Sequence, residues 1–162
     1  MRRVDVTSAL LLLLMAPLFG QQPANPEPIH YDRHRVVHHF YLYPDGGIMT
    51  LAVADPSDTE TRKAVRAYVQ RVSQLMVGGN LARLREQFGE GVPGLDRIAE
   101  ARARKATLTV RSSAPDEGSH IIFTTADPQV LQGLHEFLRF QINDLNTGDS
   151  PDVREREDAA RL

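Results

Sequence analysis

Residues 120–145 read HIIFTTADPQVLQGLHEFLRFQINDL, and two periods meet inside them. Ile121, Phe123 and Thr125 alternate with His120, Ile122 and Thr124, as in a strand with one face in a core. The spacing then lengthens to a helical one through Leu131, Leu134, Leu138, Ile142 and Leu145. The change falls on Ala126-Asp127-Pro128. An Asp there accepts from the free N–H groups of a first helical turn, and Pro loses nothing at a position whose N–H would have no partner. The same device occurs upstream: Met49, Leu51 and Val53 run into Ala54-Asp55-Pro56, followed by Val65, Tyr68, Val69, Val72, Leu75 and Met76 at helical spacing. A repeated strand–Ala-Asp-Pro–helix module is therefore the main architectural signal.

The remaining segments complete this pattern. Val36–Tyr43 is rich in β-branched and aromatic residues, Pro44-Asp45-Gly46-Gly47 signals a turn, and Ile48–Val53 follows as a partner strand. Placing Tyr43 opposite Ile48 pairs Leu42 with Met49, Phe40 with Leu51 and His38 with Val53, so His38 faces inward and His39 outward. The first long helix is expected from Pro56 to about Val77, stopped by Gly78-Gly79, with shorter helical segments over Asn80–Phe88 and Gly94–Arg102. Ala106–Arg111 alternates as a third strand. Its pairing across the Ser112–Gly118 loop sets Val110 against Ile121, Leu108 against Phe123 and Ala106 against Thr125. The order ββα(α)(α)ββα predicts an α+β two-layer sandwich, a four-stranded antiparallel sheet with the two long helices on one face.

Such a sheet leaves its second face open, carrying His39, Tyr41, Tyr43, Ile48, Thr50, Ala52, Thr107, Thr109, Ile122 and Thr124. This is more apolar and aromatic than a merely solvated face requires, and patches of that kind mark contact surfaces. Tyr41, Tyr43, Ile48, Thr50 and Ile122 are the expected interface residues of a homodimer formed through the open face.

With 162 residues, 41% hydrophobic and 25% charged, the chain suits one small domain with a modest core. Met1–Gly20 has the make-up of an export signal: Arg2 and Arg3, an apolar run over Ala9–Phe19, then the small Gly20. That run is too short to span a bilayer unaided. Membrane contact is expected only if the segment stays uncleaved, and the location implied is periplasmic or secreted. Residues 21–35, with Pro23, Pro26 and Pro28, read as a flexible linker; 36–145 form the domain; 146–162 read as a mobile charged tail. The chain has no Cys, so disulfides do not contribute. The formal charge of −2 becomes −3 once Arg2, Arg3 and Asp5 leave with the signal, which argues against nucleic acid as a partner. From Arg62 to Arg111 there are 11 Lys or Arg against four acids, read as solvated helix faces.

The six histidines are the residues that suggest chemistry. His30, His34 and His38 are four apart, but the first two fall in the linker. His38, on the inner face of the first strand, and His135, bordering the apolar stripe of the last helix, share the sheet–helix seam, where an imidazole needs a hydrogen-bond partner or a metal. A satisfied core histidine is the ordinary reading. The metal reading takes His38 and His135 with His39 as a further ligand, for Cu, Zn or Ni. Gly89-x-Gly91-x-x-Gly94 matches a dinucleotide fingerprint in letters but follows a helix and contains Pro93. Asp55, Asp58 and Glu60 are explained by capping. Ser119 and His120 are strand neighbours and point to opposite faces. No catalytic residue is assigned.

Taken together, His38-x-Phe40, Asp45-Gly46-Gly47, Asp55-Pro56, Val92-Pro93-Gly94, Thr124-Thr125-Ala126-Asp127-Pro128 and His135-x-Phe137-Leu138-x-Phe140-Gln141 resemble the motifs of a group of small, mostly uncharacterised bacterial proteins. The resemblance implies a four-imidazole cluster made by His38, His135, a His just before the Val-Pro-Gly turn and another directly after Asp144. This chain has Glu86-Gln87-Phe88-Gly89-Glu90-Gly91 and Leu145 in those two places. Some of the group go under the name aspartate carbamoyltransferase, yet no phosphate-binding Ser-Thr-Arg constellation is present here. The expectation is an exported, non-enzymatic binding domain that self-associates, with periplasmic transition-metal binding as the alternative.

Overall fold

The computed structural model describes residues 28–114 and 118–155. The expected export signal, residues 21–27 of the linker and residues 156–162 of the tail lie outside them. The elements are β1 (Val36–Tyr43), β2 (Gly46–Val53), α1 (Thr59–Gly78), α2 (Leu81–Phe88), α3 (Leu95–Ala103), β3 (Thr109–Ser113), β4 (Ser119–Thr124) and α4 (Pro128–Asp144). A 3-10 turn, Arg33–Arg35, precedes β1. The strands form one open sheet in the order β1-β2-β4-β3, every neighbouring pair antiparallel. This is the α+β sandwich that the element order predicts.

The inner face of the sheet carries Phe40, Leu42, Met49, Leu51, Ile121 and Phe123, all buried in one core with Val65, Val69, Val72 and Met76 of α1 and Leu134, Phe137, Leu138 and Ile142 of α4. Both long helices thus lie on the same side. Among the described residues no helix is long and apolar enough to cross a membrane.

The register of both hairpins differs from expectation by two residues. Tyr43 pairs with Gly46, Tyr41 with Ile48, Phe40 with Met49 and His38 with Leu51, so only Pro44 and Asp45 form the connection. Gly46 and Gly47 belong to the ladder. A Cβ on Gly46 would lie 1.9 Å from the Phe123 carbonyl oxygen, and one on Gly47 would lie 2.3 Å from Leu138 Cδ1. Close approach by β4 and α4, not turn geometry, requires the glycines. In the second hairpin Val110 pairs with Phe123 and Ser112 with Ile121, and β3 begins at Thr109 instead of Ala106. A shift of two keeps every side chain on its face, so the core set is the expected one.

The junctions also differ from one another. At α4, Asp127 accepts from the N–H groups of Gln129 and Val130, with Pro128 in the first turn. At α1 the cap is Asp58, which accepts from Thr61 N–H, while Asp55 closes a local turn on Ser57; the helix starts three residues after Pro56. α3 crosses α4 where two glycines meet: a Cβ on Gly94 would lie 1.9 Å from the Gly133 carbonyl oxygen, and Gly94 has φ +84°.

Beyond α4 the chain is not free as far as Glu155. Asp149 accepts from Phe40 N–H at 2.9 Å and from Thr147 Oγ1 at 2.8 Å, Arg154 N–H donates to Leu42 O at 2.8 Å, and Val153 makes a parallel bridge to Leu42. The segment straps the outer edge of β1. The polar character that suggested a mobile tail supplies the side chains that tie it down. The end of the linker is likewise held: the Gln87 amide exchanges two hydrogen bonds with the backbone of Ile29.

Candidate functional site

The histidines that looked like partners are not brought together. His38 lies on the inner face of β1 as expected, with Nε2 2.7 Å from the Tyr31 hydroxyl. Its ring also bonds the Val36 backbone, so Nδ1 carries the hydrogen and Nε2 accepts from Tyr31 O–H. Burial first, and the Arg33 charge second, push the His38 pKa below its ordinary value, so the ring is neutral at pH 7. His135 is 9% exposed, and its Nε2–H is shared between the carbonyls of Tyr43 and Gly46, each at 3.0 Å. That nitrogen has no lone pair for a metal. Five strand residues separate His38 from Tyr43, roughly 16 Å along β1, whereas imidazole ligands stand about 2 Å from a shared zinc.

His39 is on the opposite face, with Nδ1 3.0 Å from Asp149 Oδ1. His34, His38 and His39 border one hollow at the start of β1. Among the described residues no group of three or more His, Cys, Asp or Glu is placed to hold a metal ion. Placement therefore corrects the expectation that His38, His135 and His39 form one ligand set: each ring is engaged by its own protein partner.

The outer sheet face carries two cross-strand rows. Tyr41, Ile48, Ile122 and Arg111 stand side by side across β1, β2, β4 and β3, and His39, Thr50, His120 and Ser113 form the next row. Thr50 Oγ1 and His120 Nδ1 are 3.2 Å apart. Tyr41, Ile48, Thr50 and Ile122 are half-buried, and the Arg154 guanidinium sits 5.2 Å over the Tyr41 ring. Tyr43 departs from expectation: it is 1% exposed and so offers no interface surface. It ends β1 where His135 binds the carbonyls on both sides of the turn, and that attachment to α4 encloses the residue.

A cleft that the sequence did not announce opens on the helix side. It has a volume of about 320 Å³ and lies between residues 29–33, Tyr68 of α1, the end of α2 and the end of α4. Tyr31 and Tyr68 meet edge to face at 4.9 Å inside it. Burial raises the pKa of both phenols, so both stay protonated. Gln141, 8% exposed, also lines the cleft, and Arg33 and Asp144 pair at its rim at 3.3 Å. The available signal was Gln141 itself, a polar residue between Leu138 and Ile142 of an apolar stripe.

No family model matches the chain, and neither a curated protein nor a solved structure matches it.

Proposed function

We propose that the chain is an exported, non-catalytic binding domain that associates with a second copy of itself through the outer sheet face. The observation that carries this reading is the row Tyr41–Ile48–Ile122, which crosses three adjacent strands with no charged side chain inside it. The arginines stand at its ends. Packing two such faces at an angle brings the apolar centres together and lets the arginine ends diverge. Four strands spaced by about 4.8 Å and some 20 Å long present roughly 400 Å² per copy. That is about half of a standard interface side, near 800 Å², so the dimer is weak and concentration-dependent. Export rests on the composition of Met1–Gly20.

Sedimentation equilibrium over a wide concentration range tests the association. A dimer that Ile48→Glu dissociates, with the far-UV spectrum unchanged, supports the proposal. A monomer at every concentration, or a dimer whose affinity Ile48→Glu leaves alone, overturns it.

A further inference from the structure

The cleft at the end of α4 lies on the other side of the sheet from the proposed dimer face and is independent of it. Its polar groups are unusual in being both buried and unused. The Gln141 side chain is more than nine-tenths buried, yet its amide has no hydrogen-bond partner among the described residues. The same holds for the Tyr68 hydroxyl. Tyr31 gives its hydrogen to His38, which leaves its oxygen lone pairs facing the space it shares with Tyr68. By contrast Gln87, on the same wall, spends both amide atoms on Ile29. Folding chains seldom leave a buried amide without a partner, because each such group forfeits its water hydrogen bonds for nothing. A group held in that state inside an open cleft is placed for something that enters.

The chemistry of the entrant follows from the lining. The deep groups are an amide and two protonated phenols, all uncharged, and the one guanidinium at the rim is already paired with Asp144. An ion buried here would find no counter-charge. An amide side chain offers a donor and an acceptor side by side, and its natural complement is another amide, N–H to C=O and C=O to N–H. Phe88 and Phe140 add apolar wall for a ring, and the volume lies at the small end of ligand sites. From these features we infer that the cleft binds an uncharged, ring-sized molecule bearing an amide, held by the Gln141 side chain, with the Tyr68 hydroxyl and the Tyr31 oxygen completing its hydrogen bonds.

Two sources share that chemistry, an acetamido sugar and a cyclic imide, and NMR titration of the isotopically labelled intact chain distinguishes them. N-acetylglucosamine and uracil are the probes; glucosamine and orotate are their charged counterparts. Saturable shifts of the Gln141 side-chain NH2 with one neutral probe, at least tenfold weaker binding of its charged counterpart, and at least tenfold weaker binding to Gln141→Leu are expected. Which neutral probe binds identifies the source. Tyr68→Phe removes a single oxygen and is expected to weaken binding severalfold, so it decides the matter if Gln141→Leu does not fold. Gln141→Leu also carries a readout independent of ligand: replacing an unpaired buried amide by an apolar side chain should raise the thermal midpoint. No binding of either neutral probe, equal binding of the charged ones, or undiminished binding to the variants overturns the inference.

Discussion

Replacing Asp149 by Ala tests whether the strap after α4 is part of the folded domain. The carboxylate accepts from Phe40 N–H at 2.9 Å and Thr147 Oγ1 at 2.8 Å, and its other oxygen lies 3.0 Å from His39 Nδ1. The first is a hydrogen bond from a backbone group to an ionised acceptor that is only 10% exposed, in a class worth about 1.5–3 kcal/mol. The His39 contact is 42% exposed on the imidazole side and adds at most about 1 kcal/mol. Because the three share one carboxylate their losses do not add, and Asp149→Ala is expected to cost about 2–3 kcal/mol. Asp149→Asn keeps an acceptor for Phe40 and loses only the charge, so it should cost about 1 kcal/mol. Urea unfolding at pH 7 measures the difference. Amide exchange at Arg154, whose N–H donates to Leu42 O at 2.8 Å, reports whether the strap has detached. A loss below about 0.5 kcal/mol, with Arg154 still protected, would refute the assignment of Asp149 as the anchor.

Gly94→Ala should be severely destabilising, by more than about 3 kcal/mol, since its Cβ would meet a helix backbone and its φ already disfavours a side chain. Gly91→Ala, at φ +73° with nothing within 4 Å of the added Cβ, should cost only about 1 kcal/mol, and equal thermal melts for the two would contradict the glycine-to-glycine crossing. The depressed pKa of His38 has a definite sign: the unfolded chain binds the proton more readily, so this stability is fully present above pH 6.5 and falls as pH drops from there toward the folded pKa. His38→Gln, which keeps an acceptor for Tyr31, should flatten the decline in unfolding free energy between pH 7 and 5; an unchanged slope would mean that another group titrates.

Much of the fold was legible because alternation and helical spacing are local. Phe40, Leu51 and Phe123 declare the inner face by parity alone, and parity survives a two-residue slip. Register was not legible, because Gly46 and Gly47 carry the residue type of a turn while serving a tertiary need. Asp127-Pro128 was read correctly, whereas Asp55 competed with Asp58 for the same cap, and only folding reveals which one the helix uses. The site was harder. Tyr31 lies seven residues before its partner His38 in a segment without a period, and Asp149 acts on Phe40 from a stretch with no apolar stripe. Such contacts across long sequence separations leave no repeat to detect. His135 illustrates the opposite error: a histidine beside an apolar stripe invites a metal, yet two backbone carbonyls are enough to satisfy it.

The strap along β1 has a consequence for how copies of this chain meet at high concentration. A sheet with two free margins can add neighbours indefinitely, which is the route to fibres. Here the turn-proximal margin of β1 is occupied by Val153 and Arg154 of the same molecule, leaving β3 as the open margin among the described residues. Margin-to-margin joining through β3 therefore stops at two molecules, and cutting the chain before Thr147 would remove that stop.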